Sequence, residues 1–185
     1  MIFVRDKGRM ANNMLQYGHV YAWAREHGLQ TVSMRFAYKY PWFKISHSRY
    51  HNFLTYVTAK YAANWGLIPT VSFDEEKADT SQEEQAMLSH KWVMAEGWYA
   101  RWYDLFLKYK SEICELFAFD EDVERKAKER LGDMWGVRLG VHIRRGDYAT
   151  FQGGRFYYTD QQYVHIIRSY YDHCYPKERL NGYIR

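Results

Sequence analysis

Cysteine is scarce in this chain. Cys114 and Cys174 are the only two in 185 residues, and neither stands in a Cys-x-x-Cys or any other ligand spacing. That pattern reads as two free thiols in a reducing compartment and no zinc site. No stretch approaches the ~20 apolar residues of a membrane span. The start, Met1-Ile2-Phe3-Val4-Arg5-Asp6, lacks the basic region and long apolar core of a signal peptide. A cytoplasmic protein of bacterial type is the default expectation, with peripheral association at the inner membrane left open. The eight histidines do not fall at metal spacings such as HxxxH beside a carboxylate, so no metal and no cofactor is expected. No serine sits in GxSxG, and neither cysteine has a sequence partner that would mark a nucleophile. Neither a P-loop nor a dinucleotide GxGxxG is found.

Acidic residues are missing altogether between His27 and Phe73. The same stretch holds Arg35, Lys39, Lys44, Arg49 and Lys60, interleaved with aromatic residues from Phe36 to Trp65. Basic residues between stacking platforms are also what single-stranded nucleic-acid surfaces use. The plainer reading is that most of these aromatics are core and the cations a solvated rim. Over the whole chain the formal net charge is +4, hydrophobic residues make up 47% and aromatic residues 19%. A sizeable core can therefore be buried. A mild basic excess fits an anionic ligand without demanding nucleic acid.

Along the chain, Ile2-Phe3-Val4 reads as a short buried strand, followed by a loop from Asp6 to Asn12. A helix then starts with Asn13 as N-cap and Gln16 completing a capping box. Gly28 ends it. Strand, Gly-containing loop and helix make the opening unit of a doubly wound α/β fold. The loop is also a candidate anion loop, since amides at a helix N-terminus attract negative charge. Thr31 to Phe36 is expected as a second strand. An apolar stripe from Trp102 to Phe117 predicts a long helical region. Asp120 can cap a further helix, in which Val123, Ala127 and Leu131 share a face and Gly132 marks the end. Thr159 and Gln162 form the capping box of a last helix, whose expected buried face is Tyr163, Ile166, Ile167 and Tyr170.

The stretch Leu139 to Tyr148 carries the most chemistry. Val137, Leu139, Val141 and Ile143 alternate with Arg138, Gly140, His142 and Arg144, which predicts a strand with His142 and Arg144 on one face. Arg145-Gly146-Asp147 then reads as a turn. Two guanidiniums, an imidazole and a carboxylate at the carboxyl end of a strand suit an anion site, a di- or polyphosphate above all. A solvated turn with a surface ion pair explains the same residues. A bare Arg-Gly-Asp adhesion tripeptide is a third and weaker reading.

His142-Ile143-Arg144-Arg145-Gly146-Asp147-Tyr148 resembles the HxRRGDY motif of the α-1,2-fucosyltransferases, glycosyltransferase family eleven. Gly8 to Tyr17 is similar to that family's GGLGNQMFQY segment. Arg9 and Ala11 stand where the family has glycine, and Asn13 where it has glutamine. A Gly-Arg-x-x-Asn form is also similar to the loop of protein O-fucosyltransferases, in which the Arg and Asn lie by the donor cleft. Tyr157-Tyr158-Thr159-Asp160 and the amphipathic helix after it also resemble the segment just downstream of the motif in these enzymes.

The resemblance implies two Rossmann-like domains in the GT-B arrangement. Here residues 1–150 would form the N-terminal, acceptor-side domain, a three-layer α/β unit with a parallel sheet. Residues 151–185 would be a linker and the first helix of a truncated second, donor domain. It implies inverting transfer of L-fucose from GDP-fucose to a glycan hydroxyl, with an α-1,2 linkage and no metal. Arg144 would be the catalytic residue, binding the β-phosphate and stabilising the leaving charge. His142 would hydrogen-bond the nucleotide, and Arg145 and Asp147 would hold the loop in shape. Arg9 and Asn12 would lie by the donor. Expected partners are GDP-fucose and an oligosaccharide acceptor, not nucleic acid. The alternatives are a non-catalytic glycan-binding or remnant domain of the same fold, and a single-strand nucleic-acid binder using residues 35–65.

Overall fold

A computed structural model describes residues 1–132 and 139–174. They fall into two compact units, Met1–Gly132 and Asp133–Arg185. The arginine motif from His142 to Tyr148 thus belongs to the second unit, whereas a boundary at residue 150 would have put it in the first.

The first unit is an α/β fold. Strands β1 (Ile2–Arg5), β2 (Thr31–Ser33), β3 (Thr70–Ser72) and β4 (Val93–Glu96) form one sheet in the order β2-β1-β4-β3. Every pairing is parallel, with Phe3 opposite Val32 on one side and Met94 on the other. Ile2, Phe3 and Val4 are all buried, as a strand covered on both faces requires. Period two then sorts the core. Ile2, Val4, Val93 and Ala95 pack with residues of α1 (Met10–Glu26) and α3 (Ser81–Ser89). Phe3, Val32 and Met94 pack on the other side with Ala59 of α2 (Phe53–Asn64). The result is the expected three-layer, Rossmann-like arrangement around a parallel sheet.

Helix α1 starts earlier than the sequence suggests. Its N-cap is Arg9, in extended conformation and without a side-chain cap bond. Asn13 lies inside the first turn, fully buried, and its Nδ2 donates to the Tyr40 hydroxyl at 3.3 Å. Gln16 does not complete a box with Asn13. Its Nε2 donates to the carbonyls of Lys7 at 2.6 Å and Asn12 at 3.0 Å, and its Oε1 accepts from the Lys7 amide at 3.2 Å. One buried amide therefore ties the loop onto the helix, the job a cap would have done. The helix does end at Gly28, whose φ is +67°. The Leu29 amide reaches back to the Ala24 carbonyl at 2.8 Å and that of Gly28 to Arg25 at 3.3 Å, the paired bonds that close a glycine-terminated helix.

The apolar stripe after Trp102 forms two short helices, α4 (Tyr103–Lys108) and α5 (Lys110–Leu116), and α4 packs on α1. Glu84 on α3 joins these layers. It accepts the indole N–H of Trp23 at 2.9 Å and of Trp102 at 2.8 Å, and the Thr80 hydroxyl at 2.8 Å. Burial alone would push its carboxyl up, but these three donors hold it below the ordinary glutamate value. Helix α6 (Glu121–Leu131) follows Asp120 and ends at Gly132 as expected, but none of its residues is buried. The face shared by Val123, Ala127 and Leu131 is not covered.

In the second unit, Val137 and Arg138 lie outside the described residues, and Leu139 to Ile143 form no strand. Leu139, Val141 and Ile143 are each more than 40% exposed. The expected strand end for His142 and Arg144 is therefore absent. Alternation defines a face only where a neighbouring strand supplies the hydrogen-bond ladder, and the described sheet lies wholly within the first unit. Helix α7 (Asp160–Cys174) does open with the Thr159–Gln162 box. The Thr159 amide donates to Gln162 Oε1 at 2.8 Å, and the Gln162 amide to Thr159 Oγ1 at 3.3 Å. The burial expected of its apolar face is not seen: Ile166 is 50% and Tyr170 56% exposed.

Candidate functional site

The sequence-predicted site residues divide between the units. Arg9 and Asn12 flank the start of α1 in the first, and both are exposed. His142, Arg144, Arg145 and Asp147 belong to the second.

Within the second unit the two arginines are held differently. Arg145 forms an ion pair with Asp160, at the start of α7, and its Nη1 donates to the Tyr158 carbonyl at 2.7 Å. Its guanidinium also lies 5.4 Å from the Tyr157 ring and 5.6 Å from that of Tyr163. Arg144 is anchored through its backbone, whose amide donates to the Tyr163 hydroxyl at 3.3 Å. Its guanidinium stacks over the Tyr148 ring at 3.9 Å and has no carboxylate partner among the described residues. One arginine thus ties the motif to the helix behind it, and the other holds its fork over an aromatic ring.

The first unit carries a pocket that sequence reasoning did not assemble. It opens at the carboxyl ends of β1 and β2, has a volume of about 270 Å³, and is lined by Arg5, Lys7, Arg35, Tyr38, Tyr56 and Lys60 among others. The chain leaves β1 for α1 on one face of the sheet and leaves β2 for α2 on the other, so the crevice between them is a topological switch point. Ligands of open α/β sheets bind at such points.

The floor is a buried polar network. Asp6 is 2% exposed; its Oδ2 accepts from Ser33 Oγ at 2.8 Å and its Oδ1 from the Arg35 amide at 3.2 Å. Burial pushes the Asp6 carboxyl up to about 7, against the pull of these donors. Behind it, the Ser33 amide donates to His51 Nε2 at 2.9 Å. A backbone N–H can only donate, so His51 is neutral and carries its proton on Nδ1, 2.5 Å from Ser48 Oγ. Arg35 lies over this network, donating from Nε to the Asp6 carbonyl at 3.3 Å and from Nη1 to the Tyr38 hydroxyl at 2.6 Å. Tyr38 and Tyr56 form a tilted pair with centroids 4.3 Å apart.

Arg35, Tyr38, Tyr56 and Lys60 all come from the acid-free aromatic stretch, which was the sequence signal for this pocket. Arg5, Asp6 and Lys7 join them only through the pairing of β1 with β2. Comparison of the chain with protein-family models, with curated proteins and with solved structures returned no match. No helix among the described residues is long and apolar enough to cross a membrane.

The buried histidines set a pH dependence of folding. His19 Nδ1 accepts the Trp102 amide at 3.1 Å. Burial, with the Arg101 charge adding to it, pushes the His19 imidazole down to about 4, and burial does the same to His51. The unfolded imidazoles titrate near ~6.5. Between about pH 6.5 and 4 the unfolded state therefore binds more protons at both sites. Their contribution is complete above pH 6.5 and lost as pH falls toward 4. Asp6 opposes this, since its raised carboxyl favours the folded state at low pH and loses that contribution as pH rises through 7. Two histidines against one carboxyl leave a net loss on acidification. Urea unfolding is expected to show stability falling by on the order of 1–3 kcal/mol from pH 6.5 to pH 4.5. A flat or rising profile would contradict the neutral, hydrogen-bonded histidines.

Proposed function

We propose that the chain acts in glycosyl transfer from a sugar nucleotide, with GDP-fucose as donor and a glycan hydroxyl as acceptor. The observation that carries this reading is the unequal treatment of the two motif arginines. Arg145 is taken up by Asp160 and Tyr158, while the Arg144 guanidinium has no carboxylate partner among the described residues. A diphosphate needs a fork that is held in place but not already neutralised. The likeness of His142 to Tyr148 and of Gly8 to Tyr17 to the fucosyltransferase motifs supports the same reading, as does an open parallel sheet.

In the proposed reaction the acceptor oxygen bonds to the anomeric carbon of fucose from the face opposite the diphosphate. The bond from that carbon to the β-phosphate oxygen breaks, GDP departs with the electron pair, and the acceptor hydroxyl's proton is released to solvent. Arg144 stabilises the charge that accumulates on the β-phosphate. His142 serves the nucleotide, and Arg145 and Asp147 keep the loop in shape. Calorimetric titration tests the donor assignment. GDP-fucose and GDP are expected to bind the chain, and GDP-fucose to lose most of its affinity to Arg144→Ala. Absence of binding by both would favour the non-catalytic reading of the same fold.

A further inference from the structure

We propose that the pocket at the carboxyl ends of β1 and β2 binds a compact sugar ring that carries an anionic group, a sugar phosphate or a sugar acid. The site uses none of the residues assigned to the donor, and the inference does not depend on the donor assignment. Four cations line the pocket: Arg5, Lys7, Arg35 and Lys60. Glu96 offsets part of this charge, 3.1 Å from Arg5 and 4.0 Å from Lys7. Lys60 makes no ion pair among the described residues and lies 5.7 Å from the Tyr56 ring and 5.8 Å from that of Tyr61. The Arg35 guanidinium donates to a backbone carbonyl and a phenol, and the Asp6 carboxyl, which also lines the pocket and whose burial favours its neutral form, offsets only part of its charge. A cationic surplus therefore faces a confined space, with Arg35 fixed in advance by the buried Asp6–Ser33–His51 network.

Charge alone would suit any anion. The paired Tyr38 and Tyr56 rings narrow the choice. Flat apolar faces with polar edges suit the C–H face and hydroxyls of a sugar. The volume, about 270 Å³, lies just below the range of roughly 300–1,000 Å³ usual for drug-sized ligands. That is room for one ring and its anionic substituent. A nucleic-acid strand would instead need a groove that continues past the pocket.

The test is calorimetric titration of the chain with a hexose 6-phosphate, a hexuronate, the neutral hexose, inorganic phosphate and a short oligothymidylate. At least one of the two anionic sugars is expected to bind, and more tightly than the neutral hexose or inorganic phosphate. Lys60→Gln, at an exposed position on α2, should weaken that binding at least about tenfold without moving the melting temperature. Tyr38→Ala should remove the advantage of the sugar phosphate or sugar acid over inorganic phosphate. The proposal is overturned if neither anionic sugar binds or if the neutral hexose binds equally well. It also fails if Lys60→Gln leaves the affinity unchanged, or if the oligonucleotide binds more tightly than either sugar.

Discussion

Gly97→Ala lowers the melting temperature of the chain by about 10 °C or more. Gly97 follows β4 directly and has φ of +108°, a region that L-residues enter only at a cost of roughly 1–2 kcal/mol. Space is the second obstacle. A Cβ at this position would overlap the backbone of Phe73, at its amide, carbonyl carbon and carbonyl oxygen. That backbone cannot yield easily, because the Phe73 amide donates to the Glu96 carbonyl at 2.7 Å and its carbonyl accepts from the Tyr99 amide at 2.9 Å. These bonds cinch β3 to β4 at the carboxyl edge of the sheet. Strain and overlap together amount to about 3–5 kcal/mol, a large share of the ~5–15 kcal/mol that a domain has. Gly66→Ala is the control. Gly66 also has positive φ, +73°, but its Cβ would meet open space, so only the conformational strain remains. Thermal unfolding followed by far-UV circular dichroism should separate the two variants clearly. Equal shifts would show that the close approach of Gly97 to the Phe73 backbone has room for a methyl group after all.

Arg144→Ala is the second large effect, expected in turnover and not in folding. Among the described residues its guanidinium stacks on Tyr148 alone, a contact worth about 0.5–2 kcal/mol at a partly exposed site. Removing it should leave the melting temperature within a few degrees of the parent. Transfer should fall by at least about 100-fold, the loss typical when a group aimed at developing negative charge is deleted. Arg144→Lys restores charge without the fork and is expected to recover only part of the rate. Arg145→Ala should behave differently. It leaves Asp160 without its ion pair and the Tyr158 carbonyl without its donor, so activity and local order around the motif should fall together. If Arg144→Ala retains near-normal turnover, the catalytic assignment moves to another residue.

Features decided locally could be read from the sequence. The opening strand, the helix after it, its end at Gly28 and the Thr159–Gln162 box depend on residues within a few positions of one another, and the structure reproduces them. Asn13 misled because a polar residue ahead of an apolar run looks like a cap. Here the helix has already begun and the side chain faces Tyr40 in the core. The stretch from Leu139 to Ile143 misled for a different reason. Its alternation is real, but a strand exists only with a partner. The pocket was the hardest to foresee. Its cations come from residues 5–7, 35 and 60, which meet only once β1 pairs with β2 and α2 covers the far face. The one sequence trace of it was the lack of acidic residues between His27 and Phe73. A basic, aromatic stretch reads equally well as rim or as site until the fold turns part of it inward.

Glycosyl transfer itself is tested most directly by incubating the chain with GDP-fucose and a panel of galactoside-terminated oligosaccharides, with products read by mass spectrometry. The expected product is heavier than the acceptor by one deoxyhexose residue, is formed together with GDP, and is lost in Arg144→Ala. No product from any acceptor, with no GDP released above the uncatalysed rate, would refute the assignment.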